Sequence, residues 1–392
     1  MMRLAIISDC VHVFTPQGNV ASDVHIFVRQ MEALSIYFSE VHICCPFISY
    51  NNSVPITNYS STKISFIPLQ NVGGNGFAEK MKLIFQIPNW FKAYKKVNLI
   101  SDIVYQRYPN NINIPGFFYF FFINKKVFAT YTGTWGKNNN ESITYTFQKW
   151  LLKHFFKGPV GVYTSSFNLP NHIFKSFSPS YNLVEWQEET ENVAKKIQSL
   201  KENGLPILSM ITVGSFVAYK NQQYILNTCL LLREHNIPFH LYMVGDGVLM
   251  QQYLDFIKQN HLQENITITG KLVFSDVRAI YRKTNFVVQA PLMEGFGKVP
   301  LEGYFHGTIP IINNITMAGD ITKNNTLGYL FDVNTSTSLF NVLISIYKNP
   351  HQILNRILEA RVFVKQFTLE NWALEYYNKL IKHYPNLIIK NN

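Results

Sequence analysis

Two carboxylates and two glycines form the segment of this 392-residue chain best suited to chemistry. Glu294 and Glu302 stand eight positions apart, just over two helical turns, so both can face the same side. Gly295 and Gly297 allow the backbone to approach a ligand closely, and a helix that begins here directs its first N–H groups at an anion. The pattern predicts a site for a molecule with hydroxyls at one end and phosphates at the other. A solvated turn and helix is the alternative.

The elements that must position this segment alternate between short β-rich runs and helical patterns, which indicates parallel βα units and an α/β fold. Residues 22–39 follow the spacing of one helical face, with Ser22 as the expected N-cap. The strands predicted in the first half are 3–8, 40–45, 63–69, 102–106, 126–131 and 160–165.

The second half repeats this rhythm more regularly. Its strands end in glycine-bearing loops that open helices, and in open α/β sheets ligands collect at those carboxyl ends. Ser275 is the expected cap of a helix over 276–282. The predicted strands are 207–213, 240–244, 266–269, 286–290, 309–312 and 328–331, and the other predicted helices cover 222–235, 248–260 and 298–306.

A polar, charged stretch over residues 185–203, closed by Gly204–Leu205–Pro206, predicts a domain boundary at about 195–205. We therefore expect one domain over 1–198 and a second over 199–368. A final helix within 369–392 is expected to cross back to the first domain.

In this context, segment 294–302 resembles the mark of the retaining family 4 glycosyltransferases (glycosyl transferases group 1): a Glu, seven residues and a second Glu, within an E-G-F-G run followed by L-E. Segment 307–312 is similar to the G-x-P-V-V strand of that family, and 244–247 and 276–286 to its upstream segments. The resemblance covers about residues 205–335 and is mostly architectural before them. It implies the GT-B fold, two doubly wound Rossmann-like domains facing an interdomain cleft.

The resemblance also implies roles for single residues. Glu294 is expected to contact the donor sugar and Lys220 to balance the donor diphosphate, so these two are the expected catalytic residues. Glu302 is expected to hold the ribose hydroxyls. The other expected donor-binding residues are Gly214, Ser215, Gly245, Gly270, Gly295, Phe296, Gly297 and Lys298.

One position departs from the family pattern. In G-R-x-x-x-x-K the Arg and the Lys both neutralise the diphosphate, but this chain has Ser215 where the Arg would stand. The departure removes a positive charge where leaving-group charge develops. Either Lys298 supplies the missing cation, or Arg107 completes the site when the cleft closes, or donor turnover is weak.

Fewer residues of the first half match the family. Gly18 and Asn19 occupy its P-x-x-G-G loop beside the phosphate and the acceptor, with a polar turn as the alternative. Thr132, Gly133 and Trp135 stand where many members carry a His, and are candidates for acceptor or donor contacts; Trp135 is equally a core residue or a sugar-stacking platform. Arg107 is expected to meet an anionic acceptor, or to be an exposed structural Arg.

The formal charge of +11 favours an anionic partner. Dispersed basic residues and no recognised module argue against nucleic acid. The basic amphipathic stretches 147–157 and 80–96 indicate contact with an anionic membrane surface, with core-packed helices as the alternative. No signal peptide and no span of roughly 20 apolar residues is visible, so we expect a cytoplasmic protein, soluble or peripheral on the inner face of the membrane.

The scattered histidines and the four cysteines lack ligand spacing, so neither a metal nor a cofactor besides the nucleotide-sugar co-substrate is expected. Gly74–Asn75–Gly76 and Gly245–Asp246–Gly247 lack the remaining parts of a dinucleotide fingerprint, which argues against an oxidoreductase. The expected function is transfer of a sugar from a UDP- or GDP-type donor to a hydroxyl of a cell-envelope glycan or lipid-linked acceptor, with retention. The alternative is a weak or inactive GT-B protein that only binds its ligands.

Overall fold

The computed structural model describes residues 2–52, 54–72, 77–136 and 141–387; Gly74–Asn75–Gly76 lies outside them. The chain forms two compact units: the first holds the residues up to 180 and those from 369 onward, and the second holds residues 181–368. The boundary predicted at 198/199 falls inside a helix of the second unit, Thr190–Asn203. That helix belongs to the second unit because Lys196, on the helix, donates hydrogen bonds to backbone carbonyls elsewhere in the unit.

Sixteen strands are present in the described residues, ten in the first unit and six in the second. They are β1 (Arg3–Ile7), β2 (His12–Phe14), β3 (Val20–Ser22), β4 (Glu40–Ile48), β5 (Thr57–Asn58), β6 (Ile64–Gln70), β7 (Ile103–Tyr108), β8 (Val127–Thr134), β9 (Val160–Tyr163), β10 (Ile173–Lys175), β11 (Leu208–Val213), β12 (Phe239–Val244), β13 (Ile266–Gly270), β14 (Phe286–Gln289), β15 (Ile309–Asn313) and β16 (Tyr329–Phe331).

The α-helices of the described residues are α1 (His25–Ser35), α2 (Phe77–Ile100), α3 (Asn113–Phe122), α4 (Ile143–His154), α5 (Leu183–Glu188), α6 (Thr190–Asn203), α7 (Gln222–Glu234), α8 (Met250–Gln259), α9 (Phe274–Lys283), α10 (Lys298–Phe305), α11 (Ala318–Thr322), α12 (Ser338–Lys348), α13 (Ile353–Val364) and α14 (Leu369–His383). Short 3₁₀ turns include Ala218–Lys220.

The first unit is built on a parallel sheet in the order β10-β9-β8-β7-β1-β4-β6. Successive side chains of β1 point to opposite faces. Ala5 and Ile7 pack in a core with residues of α2, α3 and α4, and Leu4 and Ile6 pack in a second core with residues of α1 and α14. The sheet is therefore covered on both faces, as parallel sheets require.

A small extension of this sheet was not predicted. The three-residue strand β2 pairs with the end of β4, and β3 and β5 follow it in antiparallel order. Ser22 belongs to β3, and its hydroxyl donates to the carbonyl of Val11 at 2.8 Å. The prediction of Ser22 as N-cap is therefore wrong: α1 begins at His25, with Val24 in the N-cap position.

The aromatic run at 117–123 falls largely within α3, where Phe117 and Phe120 are buried in the core of the first unit. Among the described helices, none combines the length and the apolar character that crossing a membrane requires.

The second unit has a six-stranded parallel sheet in the order β13-β12-β11-β14-β15-β16. This is the doubly wound order in which the direction of winding reverses between β11 and β14. The predicted cap Ser275 is wrong, because α9 begins at Phe274 and the extended residue Val273 is its N-cap. An N-cap must precede the first helical residue, and Ser275 is already inside the first turn.

A buried lysine ties α6 to the sheet of the second unit. Lys196 Nζ lies 2.7–2.9 Å from four oxygens: the carbonyls of Tyr281, Thr284 and His306, and the hydroxyl of Thr308. Burial lowers the pKa of Lys196 to about 7, while the nearby Glu189 carboxylate raises it. Oxygen acceptors on every side also favour the ammonium form, whose three N–H groups they need.

Glu189, 1% exposed, joins the same region. Its carboxylate receives hydrogen bonds from Arg282, the shortest at 2.6 Å, and lies 2.9 Å from Nδ1 of His306. Burial alone would raise its pKa, but these partners hold the pKa of Glu189 below its usual range. The Nε2 atom of His306 lies 2.7 Å from the Tyr181 hydroxyl. Residues 181–189, which begin the second unit, are thus held to the rest of that unit by ion pairs as well as by apolar packing.

Candidate functional site

The clearest site in the second unit is a cavity of about 100 Å³ at the carboxyl ends of β14 and β15. It is lined by the residues from Glu294 to Pro300, by Lys220, and by Gln289, Pro291, Ile312, Asn313, Ile321 and 315–318. Ligand cavities usually measure roughly 300–1,000 Å³, so this one can enclose only part of a nucleotide sugar.

The glycine turn ahead of α10 has a specific backbone conformation. Gly297 has φ +76°, a left-handed conformation that favours glycine, and is the N-cap of α10. A glycine N-cap offers no side-chain oxygen to the first turn, so a ligand anion can accept from those N–H groups. Because α10 starts only at Lys298, Glu294 lies outside the helix. The argument that both carboxylates share one helical face is therefore wrong.

Lys220 and Glu294 meet in this cavity although they are 74 residues apart in sequence. Nζ of Lys220 lies 2.5 Å from Oε2 of Glu294. Lys220 ends the 3₁₀ turn that follows β11, and Glu294 follows β14, the neighbour of β11 in the sheet. Their side chains are 19% and 29% exposed. The site therefore offers a cation and an oxygen acceptor side by side, partly shielded from water.

Glu302 lies one turn into α10 and is absent from the lining of this cavity. Its Oε2 accepts a hydrogen bond from the hydroxyl of Tyr281 at 3.3 Å. Tyr281 is fully buried, and its ring stacks on His306 at 5.3 Å. The orientation of Glu302 is thus linked to the buried network around Glu189.

The three predicted glycines Gly214, Gly245 and Gly270 lie on neighbouring strand ends. The N–H of Gly214 donates to the carbonyl of Val244, and the N–H of Gly245 donates to the carbonyl of Gly270, both at 3.0 Å. A Cβ at Gly245 would fall 1.9 Å from the carbonyl oxygen of Gly214, so only glycine permits this approach. At Gly214, a Cβ would lie 4.0 Å from the Lys220 side chain.

Three further predicted residues lie near this arrangement. Ser215 is exposed, and its carbonyl accepts a hydrogen bond from Gln222 at 3.0 Å. Lys298 is the first residue of α10 and lines the same cavity as Lys220. Phe296 is buried, with its ring 6.4 Å from that of Phe367. The side chain of Phe296 therefore packs against Phe367.

The first unit has its own, larger cavity, of about 540 Å³. Of the predicted residues, Arg107 and Thr132 line it. Arg107 donates to Oε1 of Gln30 at 3.0 Å, and its guanidinium lies 4.8 Å from the ring centroid of Phe27. Most of the remaining wall is apolar, and its acidic members are Asp9 and Asp23.

Four predicted residues of the first half lie outside that cavity lining. Gly18 and Asn19 form the turn between β2 and β3, where the N–H of Gly18 donates to the carbonyl of Thr15. Gly133 sits where the pairing of β8 with β9 shifts register. Trp135 packs on Tyr131 at 5.5 Å, against the core of the first unit.

Sequence reasoning missed Asp9 and Asn313. Asp9 follows β1 and lines the cavity of the first unit. Crowding by protein atoms raises the pKa of its carboxyl, although the side chain keeps solvent exposure, and the charge of Arg107 opposes the shift. Asn313 ends β15 and donates to the carbonyl of Pro291 at 2.8 Å. Both lie at carboxyl strand ends, so the rule that located the glycine loops could have found them.

No group of three or more His, Cys, Asp or Glu side chains suited to holding a metal ion occurs among the described residues. The charged groups that face the cavity of the second unit are Lys220, Glu294 and Lys298.

Comparison with known proteins gives a consistent result for the second unit. Residues 191–362 match the family model described as glycosyl transferases group 1. An uncharacterized glycosyltransferase of Methanocaldococcus jannaschii is 26% identical over 162 residues, 41% of this chain and 44% of that protein. The UDP-Gal:alpha-D-GlcNAc-diphosphoundecaprenol alpha-1,3-galactosyltransferase of Escherichia coli is 28% identical over 185 residues, 45% of this chain and 44% of that protein. The matched regions thus span less than half the length of these two relatives.

The fold is similar over nearly the whole chain. The crystal structure of HepE from Anabaena in complex with UDP and glucose has a TM-score of 0.69 at 12% identity, covering 97% of this chain and 99% of that one. The chain therefore has the α/β architecture of the GT-B fold, as predicted from the sequence.

Proposed function

We propose that this protein is a glycosyltransferase that moves a sugar from a nucleoside-diphosphate sugar to a hydroxyl of a cell-envelope glycan or lipid-linked acceptor. The observation that carries the proposal is the contact between Lys220 and Glu294 beside the glycine turn at the start of α10. A cation and helix N–H groups suit a diphosphate, and a neighbouring carboxylate suits sugar hydroxyls.

The chemistry proposed for this site is stabilisation of the leaving group. Lys220 and the first turn of α10 balance the charge that develops on the departing diphosphate. When a diphosphate engages Lys220, the Glu294 carboxylate gains acceptor capacity for sugar hydroxyls. Transfer proceeds with retention and without a metal, and the departing phosphate takes the proton of the acceptor hydroxyl.

The proteins that this chain resembles support this choice of substrates. The matched Escherichia coli enzyme is named for a UDP-sugar donor and a diphosphoundecaprenol-linked acceptor. The HepE structure contains UDP and glucose. A UDP-type donor and a lipid-linked acceptor are therefore the first pair to test, with GDP-sugars second.

The acceptor site proposed is the larger cavity of the first unit. Its volume of about 540 Å³ falls in the usual range for ligand sites, and it combines apolar walls with Arg107 and Asp9. Such a lining fits an acceptor that has apolar surface next to a charged or hydroxylated group. Gly18, Asn19 and Gly133 are proposed to contact the acceptor or the donor phosphate through their backbone.

A protein that binds these ligands without turnover is the competing proposal, because Ser215 stands where the pattern of the family that this chain resembles has an Arg. Incubation with labelled UDP- and GDP-sugars, with and without a diphosphoundecaprenol-linked acceptor, distinguishes the two. An enzyme releases or transfers the labelled sugar, whereas a binding protein retains intact donor.

The contribution of Lys298 is a separate prediction. If Lys298 replaces the missing cation, Lys298→Ala should lower the turnover of the donor about tenfold or more, because one charge that stabilises the leaving group is lost. The matched control is Lys258→Ala, which removes an exposed lysine from α8 of the same unit.

A second substitution tests the same idea in the opposite direction. Adding Ser215→Arg to Lys298→Ala should restore part of the lost turnover, since the Arg returns the charge to the position it has in the G-R-x-x-x-x-K pattern. Unchanged donor affinity and turnover in Lys298→Ala would remove Lys298 from the mechanism.

A further inference from the structure

One face of the first unit exposes large apolar side chains from three helices, α2, α3 and α4. We call it the aromatic face. Phe85 of α2 is 72% exposed, Phe122 of α3 is 78% exposed and Ile143 of α4 is 88% exposed. Its other exposed members are Phe91, Phe118, Phe147, Trp150 and Phe155. Single exposed apolar residues are ordinary on a protein surface, but a concentration on neighbouring helices indicates an interaction site.

Ring contacts and one shared surface cavity connect the exposed rings of α3 and α4. Trp150 of α4 lies 5.9 Å from Phe147 of the same helix and 4.9 Å from Phe155, which follows the helix. Phe155 shares a small surface cavity with Phe121, whose ring lies 5.7 Å from that of Phe122.

Helices α2 and α3 are joined in the same way. Phe91 of α2 lies 5.8 Å from Tyr119 of α3. Under these rings, residues of all three helices pack in one core.

The exposed charges described around the aromatic face are mostly positive. Helices α3 and α4 contain no Asp or Glu, α2 contains Glu79, and between residues 82 and 136 Asp102 is the one acidic residue. Glu141, two residues before Ile143, is 9% exposed and is paired with Lys149. Asp102 is already paired with Arg3 at 3.1 Å. Exposed lysines lie on or beside the helices: Lys92, Lys95, Lys153 and Lys157. Lys157 Nζ lies 4.5 Å from the ring centroid of Phe121, which puts a cation directly beside the exposed rings.

We propose that the aromatic face docks on an anionic phospholipid bilayer, with the exposed rings entering the headgroup region and the lysines facing lipid phosphates. Aromatic side chains favour that region, and basic residues add attraction to anionic lipids. A second copy of this chain is a poorer partner, because it would bring the same positive charge to the same surface. The inference deepens the proposed function, since a lipid-linked acceptor lies at such a surface.

The experiment is vesicle flotation of the full chain. The vesicles contain either phosphatidylcholine alone or phosphatidylcholine with phosphatidylglycerol, and binding is measured at low and at high salt. Three variants are compared with the wild type: Phe122→Ser/Trp150→Ser on the aromatic face, Lys153→Glu/Lys157→Glu beside it, and the control Val248→Ser/Val362→Ser. The control residues are 87% and 74% exposed on the second unit.

We expect the wild type and the control to float with the anionic vesicles, and salt to weaken that binding. Both variants should bind at least about tenfold more weakly, since the Ser variant removes apolar area that docking would bury and the Glu variant removes charge attraction. Equal binding to neutral vesicles, no flotation of the wild type, or an equal loss in the control would overturn the proposal. So would a dimer in sedimentation that the aromatic variant alone dissociates.

Nucleotide-sugar affinity is measured on the same samples without vesicles. Variants that bind donor normally but no longer float separate a failure of membrane docking from a failure of the proposed transferase.

Discussion

Replacing Lys220 with Met should lower the rate of sugar transfer by about 10²–10³-fold, the cost of removing one well-placed group that stabilises developing negative charge. Met keeps much of the length and the apolar stem of Lys but has no charge. In the cavity of the second unit, Lys220 is the cation in contact with Glu294, at 2.5 Å. Its loss leaves the departing diphosphate with fewer positive partners, so we expect kcat to fall more than donor affinity.

Two control variants make this result interpretable. Lys220→Arg keeps the charge in a different shape and should retain more activity than the Met variant. Lys258→Met removes an exposed lysine from the same unit and should leave kcat unchanged. Steady-state kinetics with a labelled donor measures all three. A Lys220→Met enzyme within threefold of the wild type would exclude Lys220 from the chemical step.

Lys196→Met should destabilise the second unit by roughly 1–3 kcal/mol, the cost of leaving a buried acceptor without its hydrogen bond. Met fills a similar volume, but three carbonyls and the Thr308 hydroxyl would lose a donor in a buried site. The carbonyls of Tyr281 and Thr284 keep the Thr308 hydroxyl as a donor, and a buried acceptor that loses its donor carries a desolvation penalty. Denaturant unfolding, followed by a probe in the second unit, measures the change.

The neighbouring residue provides the control. Lys195 is 70% exposed and pairs with Glu191 across one helical turn at the surface. Lys195→Met should therefore leave the denaturant concentration at the midpoint of unfolding unchanged, because exposed ion pairs contribute little to stability. If the two variants unfolded at the same denaturant concentration, the buried hydrogen bonds of Lys196 would have no special role in holding α6 to the second unit.

The sequence predicted the sheet of the second unit well, and for a physical reason. Each of its strands is a short apolar run, and loops with glycine or polar residues separate the strands from the helices, so local patterns and global topology agree. Gly214, Gly245 and Gly270 mark strand ends that the sheet places side by side. Lys220 and Glu294 could be paired in advance only because a resemblance assigned both to the same donor.

Local sequence patterns could not predict three other kinds of feature: very short strands, the exact helix starts and long-range hydrogen bonds. The strands β2, β3 and β5 have two or three residues each, too few to show alternation. Ser22 and Ser275 have the chemistry of helix caps, but the actual helix starts are fixed by tertiary context. The hydrogen bonds of Lys196 reach residues 85 to 112 positions away. No local signal reports such contacts, so the domain boundary was placed too late in the chain.

The surface role of the aromatic run in α3 also could not be predicted from local sequence patterns. In the sequence, this run of seven residues is too short to span a membrane. Only the fold brings its exposed end next to α4 and α2, where the three helices form one surface.

The central claim is that the second unit holds a nucleoside-diphosphate sugar at this site, with the sugar hydroxyls at Glu294 in the cavity and the ribose hydroxyls at Glu302 beside it. Isothermal titration calorimetry of wild type, Glu302→Ala and the exposed control Glu264→Ala, with the UDP- or GDP-sugar that most raises the melting temperature, tests it most directly. We expect the wild type and the control to bind alike, and Glu302→Ala to bind about ten- to a hundredfold more weakly, the value of hydrogen bonds to a charged group. Equal affinity in all three proteins would contradict the account.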